Sequence, residues 1–370
     1  MIIYRRENIK YEIDFIGINK EGKDADAICF RYFNDNDNKY HIGVYDGGTN
    51  DYGIAMKEHI KKYYKQEKEK IVIDFIICSH SDLDHASGLT EILNEFEVKK
   101  VYVNLPWLYV NELYEIVKDG RITKKSLEDR LRKAYKYVED IEKICIEKNI
   151  PIKESFEGTI IDDRFKILSP SKKFYINLLA ESNKTPETEK ESFEHMIFNK
   201  ARKILNSIRE TWDTEYLRED VSTSSENEMS IILYGDMDEE KFIFMGDAGI
   251  RAINKAIEYM KKQNINCKKI DVYQIPHHGG RRNVSTTLLN KLLGSKVNEG
   301  YEDGRIAFAL AAKNSDHPKK MVTNAYKRRG IKVFETKGKT IRHQHNTPKR
   351  EGWTTTTSVK FYNEVEDWDD

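Results

Sequence analysis

An apolar run from Ile71 to Cys78 leads straight into His80-Ser81-Asp82-Leu83-Asp84-His85. No other junction constrains the chain as much. The run has the length and β-branched content of a buried strand. Alternate residues of an extended chain point the same way, so His80 and Asp82 project to one side. Asp84 and His85 then fall at the turn into a helix that begins Ala86-Ser87-Gly88-Leu89. Gly88 lets that helix approach the strand closely. A rigid strand end thus presents imidazole and carboxylate together, a ligand set for Zn²⁺ or a harder ion such as Mn²⁺.

Two further clusters repeat the arrangement. Gly246-Asp247 follows the apolar run Lys241–Met245, and Pro276-His277-His278-Gly279-Gly280 follows Ile270–Ile275. Each places its polar residues just past a strand. Three strand ends converging on one sheet edge would assemble a metal pocket from distant segments.

The order of these motifs resembles the metallo-β-lactamase superfamily. Within it, the chain is similar to the metallo-hydrolase domain of ComEC-type DNA-uptake proteins and their free-standing relatives. The matching residues are Gly43 to Gly48, His80 to Leu89, Asn227 to Ser230, Gly246 to Ala248, Pro276 to Gly279 and Asp316 to Pro318. Asp82 stands where the superfamily usually has His, and the usual third His before Asp247 is missing. The only His in that interval is His195, in a charged segment where an exposed helix residue is expected.

The resemblance implies an α/β metallo-β-lactamase αββα sandwich holding two divalent ions, Zn²⁺ or Mn²⁺. His80 and Asp82 would serve one ion, His85 and His277 the other, with Asp247 bridging. Asp84 would bind an ion and take a proton from the attacking water. His277 is preferred over His278 as ligand because it follows the strand directly. His278 becomes a supporting or catalytic group, and Asp46 orients a ligand histidine. His317 would donate a proton to a leaving oxygen or contact phosphate, and Ser230 would lie near the substrate.

Zero net charge with 34% charged residues and only 7 prolines describes an ordered chain. The cysteines Cys29, Cys78, Cys145 and Cys267 are scattered, with no C-x-x-C. A reducing cytoplasm therefore fits better than a disulfide framework. The N-terminus lacks an apolar leader pattern, and no run approaches the ~20 apolar residues of a spanning helix, so no membrane insertion is expected.

Strands are expected at 11–16, 27–33, 41–45, 71–78, 100–103, 159–162, 165–168, 230–234, 241–245, 270–275, 305–311, 332–335 and 359–362. Helices are expected at 53–66, 249–263 and 285–293. One more runs from a capping box at Ser126 to Asp129 through Leu127, Leu131, Tyr135, Val138, Ile141 and Cys145. One domain would span 1–370, carrying a charged helical insertion at 171–225 and an acidic tail at 351–370. Helical spacing through Phe193, Ile197, Ala201, Ile204 and Ile208 marks the insertion, which would form a lid or a dimer contact.

From Lys313 to Arg350 there are twelve Lys and Arg against two acidic residues. Such a stretch, with Lys327, Arg328 and Arg329 at its centre, would lead a phosphate backbone toward the metals. The expected function is phosphodiester cleavage, first of all in nucleic acid. The alternatives are hydrolysis of a small phosphoester or other ester, and a subunit active only with protein partners in a multi-component bacterial system such as defence.

Overall fold

Side-chain alternation along the strands sets the layers. In the computed structural model, which describes residues 10–65, 70–117, 122–185 and 207–368, Ile28, Phe30 and Tyr32 face one apolar core while Ala27 and Cys29 face another. The same division separates Phe75 and Ile77 from Ile76 and Cys78. Period-2 chains buried on both faces lie between two layers.

Among the described residues two seven-stranded sheets form these layers. The first runs in the order β17 (Ile341–His345), β1 (Tyr11–Phe15), β2 (Ala27–Asn34), β3 (Lys39–Gly47), β5 (Phe75–Ile77), β7 (Val101–Tyr102), β8 (Ile152–Lys153). The second runs β16 (Lys332–Glu335), β15 (Ile306–Ala309), β14 (Val272–Gln274), β13 (Lys241–Phe244), β12 (Ile232–Asp236), β10 (Phe165–Ser169), β9 (Ile160–Ile161). Two small pairs complete the set, β4 (Val72–Ile73) with β6 (Glu97–Val98) and β11 (Ser207–Arg209) with β18 (Glu364–Glu366). Each large sheet is antiparallel over one half and parallel over the other, with β3-β5-β7-β8 and β13-β14-β15-β16 as the parallel runs.

Aromatic rings fill the space between the sheets. Phe30 contacts Phe75, Phe165, Phe242 and Phe244, and Phe15 stacks on Phe308 at 4.1 Å. Such rings bury large apolar areas and fix the sheets face to face. Helices 50–63 and 89–95 cover the first sheet, and helices 250–262 and 320–327 cover the second. The layers follow the expected αββα order. No helix of the described residues is long and apolar enough to cross a membrane.

Several elements differ from expectation. The 71–78 run is split at Asp74, whose backbone N–H and carboxylate both bond Ile42 of the adjacent strand. The long helix from Leu127 is two helices, Lys124–Ala134 and Lys136–Glu147, broken at Tyr135. Its capping box joins Thr123 and Ser126, so the cap lies three residues earlier than expected. No strand forms at 359–362; β18 follows instead.

The described parts of the segment 171–225, residues 171–185 and 207–225, pack into the body of the protein. The segment's first helix, Lys172–Glu181, buries Phe174, Tyr175, Ile176, Leu178 and Leu179. Ile208 lies in a strand rather than on a helix face, and that strand pairs with the acidic tail, where Val365 is fully buried. Phe193, His195, Ile197, Ala201 and Ile204 lie outside the described residues.

Candidate metal centre

Parallel strands end together, so the loops after them share one edge. Asp46 ends β3, the segment Ser79–His85 follows β5, Asp247 follows β13, and His277 and His278 follow β14. Gly47 and Gly88 hold the first two close. A Cβ on Gly88 would sit 2.1 Å from the Gly47 carbonyl oxygen and 2.6 Å from that of Thr49. Backbone packing of this kind leaves room for glycine alone.

Asp46 is fully buried. It accepts bonds from the Ser79 amide (2.7 Å) and hydroxyl (2.5 Å) and meets His85 Nδ1 at 2.8 Å. This fixes the His85 ring with Nε2 toward the centre. His80 is held through Nδ1 by Ser79 Oγ (3.0 Å) and Ser230 Oγ (3.3 Å). Its Nε2 lies 3.8 Å from Asp82 Oδ2 and 3.9 Å from Asp247 Oδ2. Ser230 Oγ also accepts from the Asp247 amide at 3.1 Å.

Two groups of ligand atoms result, each within 4.8 Å: His80, His85 and Asp247; and Asp84, His85 and His278. His80 Nε2, His85 Nε2 and Asp247 Oδ1 are buried and have no hydrogen-bond partner among the described residues, although the last two lie 3.1 Å apart. Buried polar atoms without partners are costly. These are the atoms a cation would satisfy, and nitrogen with carboxylate oxygen is a donor set suited to Zn²⁺ or Mn²⁺. The chain's own residues therefore fit a metal centre.

The electrostatics agree. Burial works against charge on His85, but Asp247 and Asp46 raise its pKa well above the ordinary range. His278 is shifted upward in the same way against burial, by Asp26 and then Asp84. Burial would raise the Asp84 carboxyl, yet His278 and His85 hold it well below the usual range. Several carboxylates converge here, and without cations the imidazoles must compensate them.

Of the adjacent histidines, it is His278 rather than His277 that lies within a ligand group. His278 is buried, with Nε2 3.4 Å from Asp84 Oδ2 and Nδ1 against Asp26 (3.0 Å) and the Leu310 carbonyl (2.9 Å). The His277 side chain is 34% exposed; its Nδ1 lies 2.7 Å from Asp247 Oδ2 and 2.8 Å from Asn227 Nδ2. It belongs to neither ligand group. The reason is local: β14 stops at Gln274, and both histidines have left-handed φ (51° and 56°) in a tight turn, so strand alternation no longer decides which points inward.

Two carboxylates escaped sequence analysis. Asp26 accepts from Gln274 Nε2 at 2.7 Å and orients His278. Asp24 meets His317 Nδ1 at 2.9 Å and accepts from Ser315 Oγ and the Ala312 amide, each at 2.7 Å. The His317 ring lies 6.1 Å from that of His277 and 6.3 Å from that of His278. The acidic alternation Asp24-Ala25-Asp26 before a strand was the available signal.

Arg328 and Arg329 are not substrate contacts. Arg328 is fully buried on Glu210 (3.1 Å), and Arg329 is buried on Glu215 (2.9 Å). Helix 320–327 returns between parallel β15 and β16, so its end lies at the opposite edge from the metal ligands. Arg305, at the entry to β15, binds the Arg329 carbonyl there. Lys327, the last residue of that helix, shares this position.

Residues 37–160, which hold Asp46 and the His80–His85 motif, match the family model described as the metallo-beta-lactamase superfamily. No curated protein matches the chain. Among solved structures, the crystal structure of unliganded yeast PDE1 is similar at TM-score 0.40 and 11% identity, over 90% of this chain and 99% of that one. The family match and the paired mixed sheets give an α/β metallo-β-lactamase fold. The family match, over residues 37–160, supports the superfamily and not specifically the DNA-uptake subgroup.

Proposed function

We propose that the protein is a metal-dependent hydrolase of phosphodiesters. The observation that carries this is the trio of buried ligand atoms on His80, His85 and Asp247 that make no hydrogen bond among the described residues. Two divalent ions there would supply Lewis-acid polarisation of a phosphoryl oxygen and a hydroxide at neutral pH. His80, Asp82 and Asp247 would hold one ion. Asp84, His85, His278 and Asp247 would hold the other. Asp46 and Asp26 fix the rings of His85 and His278, and Ser230 steadies both His80 and Asp247. His317, oriented by Asp24, faces the same edge and can pass a proton to a leaving oxygen.

Nucleic acid is the first substrate to test. A small phosphoester is the second reading, favoured by the internal pairing of the four arginines in the basic stretch. Arg328, Arg329, Arg342 and Arg350 are all paired with buried or half-buried acids. The single domain at 1–370 remains part of the proposal, as does a reducing cytoplasm, which suits four free cysteines.

The test compares metal content and cleavage. Purified protein, loaded with Mn²⁺ or Zn²⁺, is assayed on single- and double-stranded DNA, RNA and bis-p-nitrophenyl phosphate. Asp84→Asn and His85→Ala should lose bound metal and all cleavage. A chain that binds no metal after reconstitution contradicts the mechanism.

A further inference from the structure

The two halves of the centre are not alike. One half, Asp84, His85 and His278, gathers two imidazoles and a carboxylate. The other half groups His80 and the shared His85 with Asp247, and the Asp82 carboxylate lies 3.8 Å from His80 Nε2. Into that second half comes a cation from a distant part of the chain. Lys184 Nζ lies 2.6 Å from Asp82 Oδ1. The opposite oxygen of the same carboxylate faces His80 Nε2, the buried nitrogen without a partner.

Lys184 is not placed there by a long free arm alone. Its backbone follows helix 172–181, whose apolar face is buried. Its amide donates to Ser182 Oγ at 3.0 Å, and that hydroxyl bonds Glu226, as does the Tyr135 hydroxyl. The ammonium lies 5.8 Å from the centre of the Tyr135 ring. An exposed lysine is thus carried to the rim of the centre by the packing of the helix before it, with 40% of its side chain in solvent.

We propose that Lys184 makes the two metal positions unequal by competing with a divalent ion for Asp82. This rests on the metal-centre reading above. An ion arriving at His80, Asp82 and Asp247 must displace an ammonium from one of its three ligands and is repelled by it while it stays near. An ion arriving at Asp84, His85 and His278 meets no such cation among the described residues. The first ion therefore binds tightly at the half made by Asp84, His85 and His278. The second binds weakly and exchanges, and its occupancy follows the position of Lys184.

The experiment titrates the full chain, stripped by chelator, with Mn²⁺ by calorimetry and equilibrium dialysis. Wild type should show one tight and one weak ion. Lys184→Met keeps the length of the side chain and removes the charge. It should leave the tight ion unchanged and strengthen the weak one on the order of tenfold, about 1.4 kcal/mol. Lys184→Arg should reproduce the wild-type pattern, and circular dichroism should show both variants folded. Two ions with the same affinities in wild type and Lys184→Met overturn the inference and leave the metal centre standing. A weak site that is lost in Lys184→Met also overturns it. Binding of no ion by any of the three chains overturns both.

Discussion

His317 shows how one carboxylate can decide what an imidazole does. Its Nδ1 is taken by Asp24, and Asp24 is itself held by Ser315 and the Ala312 amide. Asp24 stays ionised because His317, His278 and Ser315 outweigh the cost of its burial. The ring is therefore fixed, with Nε2 as the atom left for a leaving oxygen. His317→Ala should cost about 10²- to 10⁴-fold on a phosphodiester with an alkoxide leaving group. It should cost little on p-nitrophenyl esters, whose leaving group needs no proton. Asp24→Asn should shift the same ratio in the same direction through ring orientation. Equal loss on both substrates would mean that the pair only supports the loop.

At the scale of elements, close backbone contact and buried charge do the joining. Gly88 brings the helix after the metal motif against β3, with no space for a methyl group. Gly88→Ala should destabilise the protein by about 1–3 kcal/mol and lower its melting temperature, since overpacking forces backbone shifts. It should also weaken metal binding, because Asp84 and His85 precede that helix. An unchanged melting temperature would show that the contact can relax. A second joint lies at β3, where His41 meets Asp162 (3.2 Å), Asp37 (2.8 Å) and Asp74 (3.6 Å). Asp162 first, then Asp37 and Asp74, raise His41 from 6.5 to about 9 against a burial cost. A raised imidazole pKa stabilises the fold fully below the unfolded value near 6.5, and that stability is lost as pH rises through about 9. After solvent screening the effect is about 1 kcal/mol. Denaturant midpoints should fall across this window in wild type and fall less in His41→Gln.

The whole molecule is tied at its far edge by charges that sequence alone offered to a substrate. Arg328 and Glu210 are both fully buried and joined at 3.1 Å. Arg350 clamps buried Asp14 with both of its terminal nitrogens at 2.8 Å and lies over Tyr63 and Trp353. Arg328→Ala should leave Glu210 as an uncompensated buried charge and cost about 3–5 kcal/mol of unfolding free energy. Activity should then fall on nucleic acid and on small esters together, tracking the folded fraction. Selective loss on nucleic acid would restore this stretch as a binding surface. The described parts of the 171–225 segment are tied in as well. Removing residues 172–223 would take away Phe174, Leu178 and Leu179 from the core and β11 from the tail strand, so a folded remnant is not expected.

The sequence by itself determined the apolar runs, the polar residues that follow them, and the order in which they occur. Those local patterns are enough for most strands of the two sheets, though not for the edge strands β8 and β17, and they set Asp46, His80 to His85 and Asp247 at or just past strand ends. Only the tertiary structure placed His278 rather than His277 within a ligand group, since two residues with left-handed φ in one turn carry no periodic signal. Only it paired Asp24 with His317 and Lys184 with Asp82, contacts across 293 and 102 residues. And only it turned the four arginines of the basic stretch inward, because charge count along a chain says nothing of which acids, Glu12, Asp14, Glu210 and Glu215, the fold will bring to meet them.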